Sequence, residues 1–195
     1  MIAADSGLEQ AGALGLVADV VVGDLDSVDP AVLDAARDGG VDVEVHPVDK
    51  DRTDLELALR AARDRGATEI VVVGGDGGRH DHLLANLLLL AHADLADVRI
   101  VAHLGRALVS VVRGPTELFG ERGDLVSLLA VAGPARGVYT AGLRFPLRGE
   151  DLEAGSTRGV SNELADPVAC VAVDRGVLLA VQPFATDHLD SWKER

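Results

Sequence analysis

The chain has 195 residues, 48% of them apolar, and a formal net charge of -14. A buried core in one large or two small domains is within reach, and nucleic acid is disfavoured as a partner because a phosphate backbone needs a basic surface. The apolar stretch 83–91 is too short to span a membrane, and no basic region with an apolar signal core opens the chain, so the expectation is a soluble, unexported, cytoplasmic protein.

Residues 17–22 read as a buried strand. Asp29 caps a helix that has Pro30 in its first turn and stops at Gly39-Gly40. Residues 41–46 alternate as a short strand. Thr53-Asp54-Leu55-Glu56 matches a capping box and starts a helix that stops at Gly66. Residues 69–73 form the next buried strand, 74–78 a glycine-rich turn, and 81–93 a helix apolar almost all round, expected to be buried on several sides. Residues 98–102 are a further strand. Apolar strands joined by helices predict an α/β region with a parallel sheet whose faces are covered.

Helical periodicity fades beyond residue 104. Short β runs at 107–112, 125–131, 137–140, 168–173 and 177–181 are separated by Gly and Pro turns, which predicts a smaller all-β sandwich or barrel domain. The change falls between residues 104 and 120, and residues 186–195 read as a polar tail. Cys170 lies in one of the apolar runs. As the sole cysteine it forms no internal disulfide, fits a reducing cytosol, and is expected to be a small core residue.

Several polar clusters sit at strand ends, where parallel sheets place their ligands. Gly23-Asp24-Leu25-Asp26-Ser27 sets two carboxylates two residues apart. They repel each other unless a cation lies between them, and in an extended segment alternate residues point the same way. Magnesium, which takes oxygen ligands, suits such a pair; a solvated turn whose Asp caps the next helix also accounts for it. Ala4-Asp5-Ser6-Gly7 resembles a second strand end, with Gly7 permitting close approach of a ligand, or else an ordinary terminus. Asp49-Lys50-Asp51-Arg52-Thr53-Asp54 crowds charge at a helix start. Capping explains Thr53, Asp54 and Glu56 but not Lys50 and Asp51, which would serve a phosphate and a proton.

Gly74-Gly75-Asp76-Gly77-Gly78-Arg79 can offer backbone N–H groups to phosphate, with Arg79 as a paired donor, but it is not the Walker pattern. His80-Asp81-His82 does not read as zinc, because adjacent helical residues do not share a face; Asn86, one turn on, reaches the same edge. Ser161 and Asn162 lie in an unusual polar stretch, 156–163, that composition alone reads as a surface loop.

Taken in order, ADSG (4–7), GDLDS (23–27), DKDRTDLE (49–56), GGDGGRHDH with Asn86 (74–86) and RGVSNE (158–163) resemble the thiamin pyrophosphokinase family. GDLVSLLAV and GLRFPLRG resemble its second domain, so the likeness covers nearly the whole chain. The resemblance implies transfer of a pyrophosphoryl group from ATP to the hydroxyl of thiamin, with Mg2+, by a homodimer whose active sites lie at the subunit interface. It implies a catalytic ATP-binding domain over 1–105 and a thiamin-binding β domain over 106–185. By that resemblance Asp5, Asp24, Asp26 and Asp51 belong to the magnesium–ATP site, Lys50 and Arg79 contact phosphates, and Asp54 accepts the hydroxyl proton. Gly7, Ser27, Thr53, Gly75, Gly78, Asp81, His82 and Asn86 complete the nucleotide pocket, and Ser161 and Asn162 lie against thiamin, from the partner subunit. A non-catalytic thiamin or nucleotide sensor and a phosphotransferase for another alcohol are the competing functions. In the family a strand and a glycine-containing loop usually precede ADSG, whereas this chain begins at Met1-Ile2; a sheet lacking that strand is expected to have an open edge and an incomplete ATP site.

Overall fold

The computed structural model describes residues 1–188. The chain divides into two compact units, Met1–Thr68 and Glu69–Arg195.

In the first unit three strands, β1 (Ile2–Ala4), β2 (Val20–Gly23) and β3 (Asp42–Val45), form a parallel sheet in that order. Three helices belong to it: α1 (Gly7–Ala13), α2 (Pro30–Asp38) and α3 (Asp54–Asp64). The alternation of β2 explains why both sheet faces are covered. Val21 packs with Ala3, Leu8 of α1, Val28, and Leu33 and Ala36 of α2. Val20 and Val22 point the other way, to Leu57 and Ala61 of α3. Asp29 caps α2 by accepting from the Ala31 N–H at 2.8 Å, with Pro30 in the first turn. Thr53 caps α3 by accepting from the Glu56 N–H at 3.3 Å. Only that half of the expected capping box forms; the Glu56 carboxylate is taken by Arg52 at 3.2 Å and Arg60 at 3.0 Å. The strand expected from residue 17 starts at Val20, because both partners enter the ladder there, Ile2 and Asp42 pairing with Val20.

The second unit is built on an eight-stranded mixed sheet. β4 (Glu69–Val73) and β5 (Arg99–Leu104) are parallel, joined through α4 (His80–Leu90) and a 3-10 turn at Ala93–Leu95. β6 (Ala107–Val112) turns back on β5 as an antiparallel hairpin, so the expected boundary at 105/106 falls inside that hairpin. The remaining strands are β7 (Thr116–Phe119), β8 (Leu125–Ala141), β9 (Arg148–Leu152), β10 (Asn162–Glu163) and β11 (Val168–Gln182), and a 3-10 turn at Ala185–His188 follows. The sheet order is β10-β8-β11-β6-β5-β4, with β7 on β11 and β9 on β8. The two long strands β8 and β11 pair along most of their lengths, with a register shift between Arg175 and Val177. Residues from both halves, such as Leu128 with Leu178 and Val138 with Val171, share one core.

Cys170 is partly exposed rather than buried, because β11 turns Ala169, Val171 and Val173 inward and Cys170 lies between them on the other face. Helix α4 buries Asn86 and Leu90, but Leu84 and Leu88 remain more than half exposed, since the fold covers one side of it only. Residues 189–195 of the expected tail lie outside the described residues.

Candidate active site

The three parallel strands of the first unit deliver polar groups beyond their carboxyl ends, the usual ligand side of such sheets. Asp5 follows β1, Asp24 and Asp26 follow β2, and the segment after β3 carries Lys50 and leads to Asp54 in the first turn of α3. Among the described residues, Asp5, Asp24 and Asp26 form a group whose carboxylate oxygens all lie within 4.8 Å of one another.

The local backbone creates that convergence. Asp5 and Leu25 both adopt left-handed conformations, with φ of 48° and 63°. Such values are uncommon without glycine and carry a steric cost. Asp5 stays registered to the sheet through its N–H, which donates to the Val22 carbonyl at 2.9 Å. Leu25 is held by packing against the cluster around Val21. The expected mechanism, alternate residues of an extended strand, is therefore not the one used. β2 ends at Gly23, and the left-handed Leu25 brings the flanking acids together.

Hydrogen bonds fix the acids unequally. The Ser27 hydroxyl donates to Oδ2 of Asp5, while Oδ1 of Asp5 is buried with no partner among the described residues. Lys50 Nζ lies 2.7 Å from Oδ2 of Asp24 and 2.9 Å from Oδ1 of Asp54. The hydrogen bond from Lys50 holds the Asp24 carboxyl below its ordinary pKa. The charge of Asp24 is the leading cause that pushes Asp26 above its own. Burial works against the Lys50 ammonium, but its bonds to Asp24 and Asp54 outweigh that and leave its pKa raised.

Asp51 is exposed on the segment before α3 and is not part of the convergent group. Gly7 opens α1 with open space where a Cβ would stand, so no neighbour among the described residues demands glycine there.

In the second unit the glycine turn has left-handed backbone at Gly75 and Gly78. The buried Asn86 donates from Nδ2 to the Gly75 carbonyl at 2.9 Å and so tethers the turn. Arg79 is engaged with Asp81 through two hydrogen bonds, of 3.2 and 2.6 Å, and these bonds are the main cause that lowers the Asp81 pKa to about 2. His82 is exposed on the first turn of α4. Ser161 is left-handed at φ 59°, and its N–H donates to Oγ of Ser127 at 3.1 Å. Asn162 is buried, and its amide clamps the main chain of Phe145: Oδ1 accepts from the N–H at 3.0 Å and Nδ2 donates to the carbonyl at 2.8 Å. Leu25, a positioning residue, carries no signal in the sequence: the flanking acids of the DxD motif are visible there, but a left-handed Leu is not.

Parallel strands ending in convergent acids, with a lysine between one of them and the acid that begins α3, and a β-rich unit following, define an α/β protein with an acidic strand-end site. The family model described as thiamin pyrophosphokinase, catalytic domain, matches residues 1–102, and that described as thiamin pyrophosphokinase, vitamin B1 binding domain, matches residues 116–178. The chain belongs to the thiamin pyrophosphokinase family. It is 25% identical to a thiamine pyrophosphokinase of Bacillus subtilis over 171 residues, which cover 86% of this chain and 79% of that one. The crystal structure of thiamine pyrophosphokinase from Bacillus subtilis superposes with a TM-score of 0.81 at 24% identity, covering 93% of this chain and 85% of the other. That of thiamin pyrophosphokinase from Geobacillus thermodenitrificans does so with a TM-score of 0.77 at 28% identity, covering 93% and 84%.

Proposed function

We propose that this chain transfers a pyrophosphoryl group from ATP to the hydroxyl of thiamin, giving thiamin diphosphate and AMP. The observation that carries the reading is the convergence of Asp5, Asp24 and Asp26 beside Lys50 and Asp54, in a member of this family.

The donor set fits a divalent cation of the magnesium type. It consists of hard oxygens, one of them buried with no partner among the described residues, and the charge of Asp24 raises the cost of ionising Asp26. Asp5, Asp24 and Asp26 would hold Mg2+, with Asp51 near the nucleotide. When bound, the ion neutralises charge on the triphosphate. The chain's own residues do the rest. Asp54 accepts the proton as the thiamin oxygen bonds to the β-phosphorus, and the bond from that phosphorus to the α–β bridging oxygen breaks, so AMP leaves. Such transfers need positioning and charge neutralisation more than covalent help.

Lys50 and Arg79 contact phosphates in this reading, and Gly7, Ser27, Thr53, Gly75, Gly78, Asp81, His82 and Asn86 shape the nucleotide pocket. Ser161 and Asn162 face thiamin, whose cationic thiazolium suits an acidic surrounding. Residues 1–105 act as the catalytic ATP-binding domain and 106–185 as the thiamin-binding domain of a cytoplasmic homodimer with its active sites at the subunit interface. The single cysteine supports the reducing compartment. Among the described residues, no helix is long and apolar enough to cross a membrane.

The test is direct. Protein mixed with thiamin, ATP and Mg2+ should yield thiamin diphosphate and AMP in equal amounts. ADP as the only nucleotide product contradicts the reading.

A further inference from the structure

Lys50 sets its ammonium against two acids of the site at once, 2.7 Å from Asp24 and 2.9 Å from Asp54, with only 13% of its side chain exposed. Asp24 is also one of the three convergent carboxylates. Its oxygens are divided: Oδ2 accepts from Lys50, and Oδ1 accepts a long hydrogen bond from the Asp26 N–H at 3.4 Å. One carboxylate thus serves both a fixed cation and the place where a mobile one would bind. A positive charge in contact with a ligand oxygen repels a second cation and occupies one of the lone pairs that it needs.

We propose that Lys50 is the internal counter-ion of the acidic cradle and competes with a divalent cation for Asp24. The protein alone then takes up the free cation weakly. A phosphate chain that engages the same ammonium releases Asp24, so cation and polyphosphate strengthen each other's binding through Lys50, reciprocally as linkage requires. The inference rests on the reading of Asp5, Asp24 and Asp26 as a cation site. It concerns the order of loading: the cation enters with the nucleotide rather than ahead of it.

The experiment titrates the full chain with Mn2+ in the absence of nucleotide, following free Mn2+ by electron paramagnetic resonance. Lys50→Gln should bind Mn2+ on the order of tenfold tighter than the wild type, since a unit charge in contact with a ligand has gone. Lys50→Met, a second neutral variant, should do the same, and Lys50→Arg, which keeps the charge, should stay close to the wild type. Equal or weaker Mn2+ binding by folded Lys50→Gln or Lys50→Met overturns the proposal. Adding Asp24→Asn to Lys50→Gln separates the two claims. If the double variant still binds as tightly as Lys50→Gln, the cation-site reading itself fails and the proposal with it. If it loses Mn2+ while Lys50→Gln gains nothing over the wild type, the site stands and only the counter-ion role falls.

Discussion

The main chain of Gly23 runs so close to Asp54 that a Cβ at residue 23 would stand 3.1 Å from Oδ1 of Asp54. It would also stand 3.2 Å from the Cβ of Asp5. The glycine at the end of β2 is therefore a spacing element, which lets an acid after β1 and an acid of α3 share one site. Gly23→Ala should displace one of them. Overpacking of this kind costs about 1–3 kcal/mol, and misplacing a reacting group by an ångström can lower a rate by about 100-fold. The expected outcome is a fall in AMP release toward that size with a modest drop in melting temperature, read from initial rates and calorimetry.

Asp54 sits where α3 begins, with its carboxylate against Lys50. As the proton acceptor it should matter to the chemical step and little to nucleotide affinity. Asp54→Asn is predicted to lower kcat by about 10²–10⁴-fold, the usual worth of general-base help, while KM for ATP stays within about threefold. An unchanged kcat would remove Asp54 from that role.

The paired acids of the DxD motif respond to pH in opposite senses. Asp24 titrates below 3.8 because Lys50 bonds to its ionised form. Its contribution to stability is present above that value and is lost as pH falls through the lower, folded-state pKa. Asp26 titrates above 3.8, first because Asp24 is charged. It binds its proton more tightly when folded, so it destabilises the folded chain as pH rises from 3.8 through the raised value. At pH 7 in EDTA, Asp26→Asn should therefore raise the melting temperature and Asp24→Asn should lower it. Mg2+ should stabilise the wild type more than Asp26→Asn. Thermal unfolding of the three proteins, with and without Mg2+, checks the signs.

Leu25 combines a left-handed backbone with a side chain packed into the cluster around Val21. Leu25→Ile keeps the apolar volume but puts a β-branched side chain in a conformation that it resists. The cost should be about 1–3 kcal/mol, measured by urea unfolding, together with weaker Mn2+ binding because the flanking acids lose their alignment. If the variant binds Mn2+ and unfolds like the wild type, the left-handed turn does not set the geometry.

Much of this architecture can be read from local signals. The Asp29 and Thr53 caps stand in the sequence and form as read, and Asp5, Asp24 and Asp26 follow the ends of β1 and β2. Helix α1 leaves little periodic signal in the sequence because it is seven residues long and buries only Leu8 and Ala11. Strand β8 reads as two runs, broken at Gly133-Pro134 and Gly137, yet it continues because β11 pairs with it on both sides of the break. Strands β9 and β10 depend on β8 for their pairing and lack an apolar alternation of their own. In the site, the DxD spacing is visible, but the means of convergence is not. At Leu25 a left-handed backbone goes with a side chain packed against the cluster around Val21. Asp51 and Asp54 both lie close to Lys50 in sequence, but Asp51 is exposed before α3, whereas Asp54 begins α3 with its carboxylate against Lys50.

The central claim, that Asp5, Asp24 and Asp26 together hold the divalent cation used in pyrophosphoryl transfer, is most directly tested by crystals grown with Mn2+ and a non-hydrolysable ATP analogue. Anomalous scattering should place a manganese ion in contact with oxygens of all three acids and of the phosphate chain. A manganese peak bound elsewhere on the nucleotide, with these three carboxylates unligated, would contradict the account.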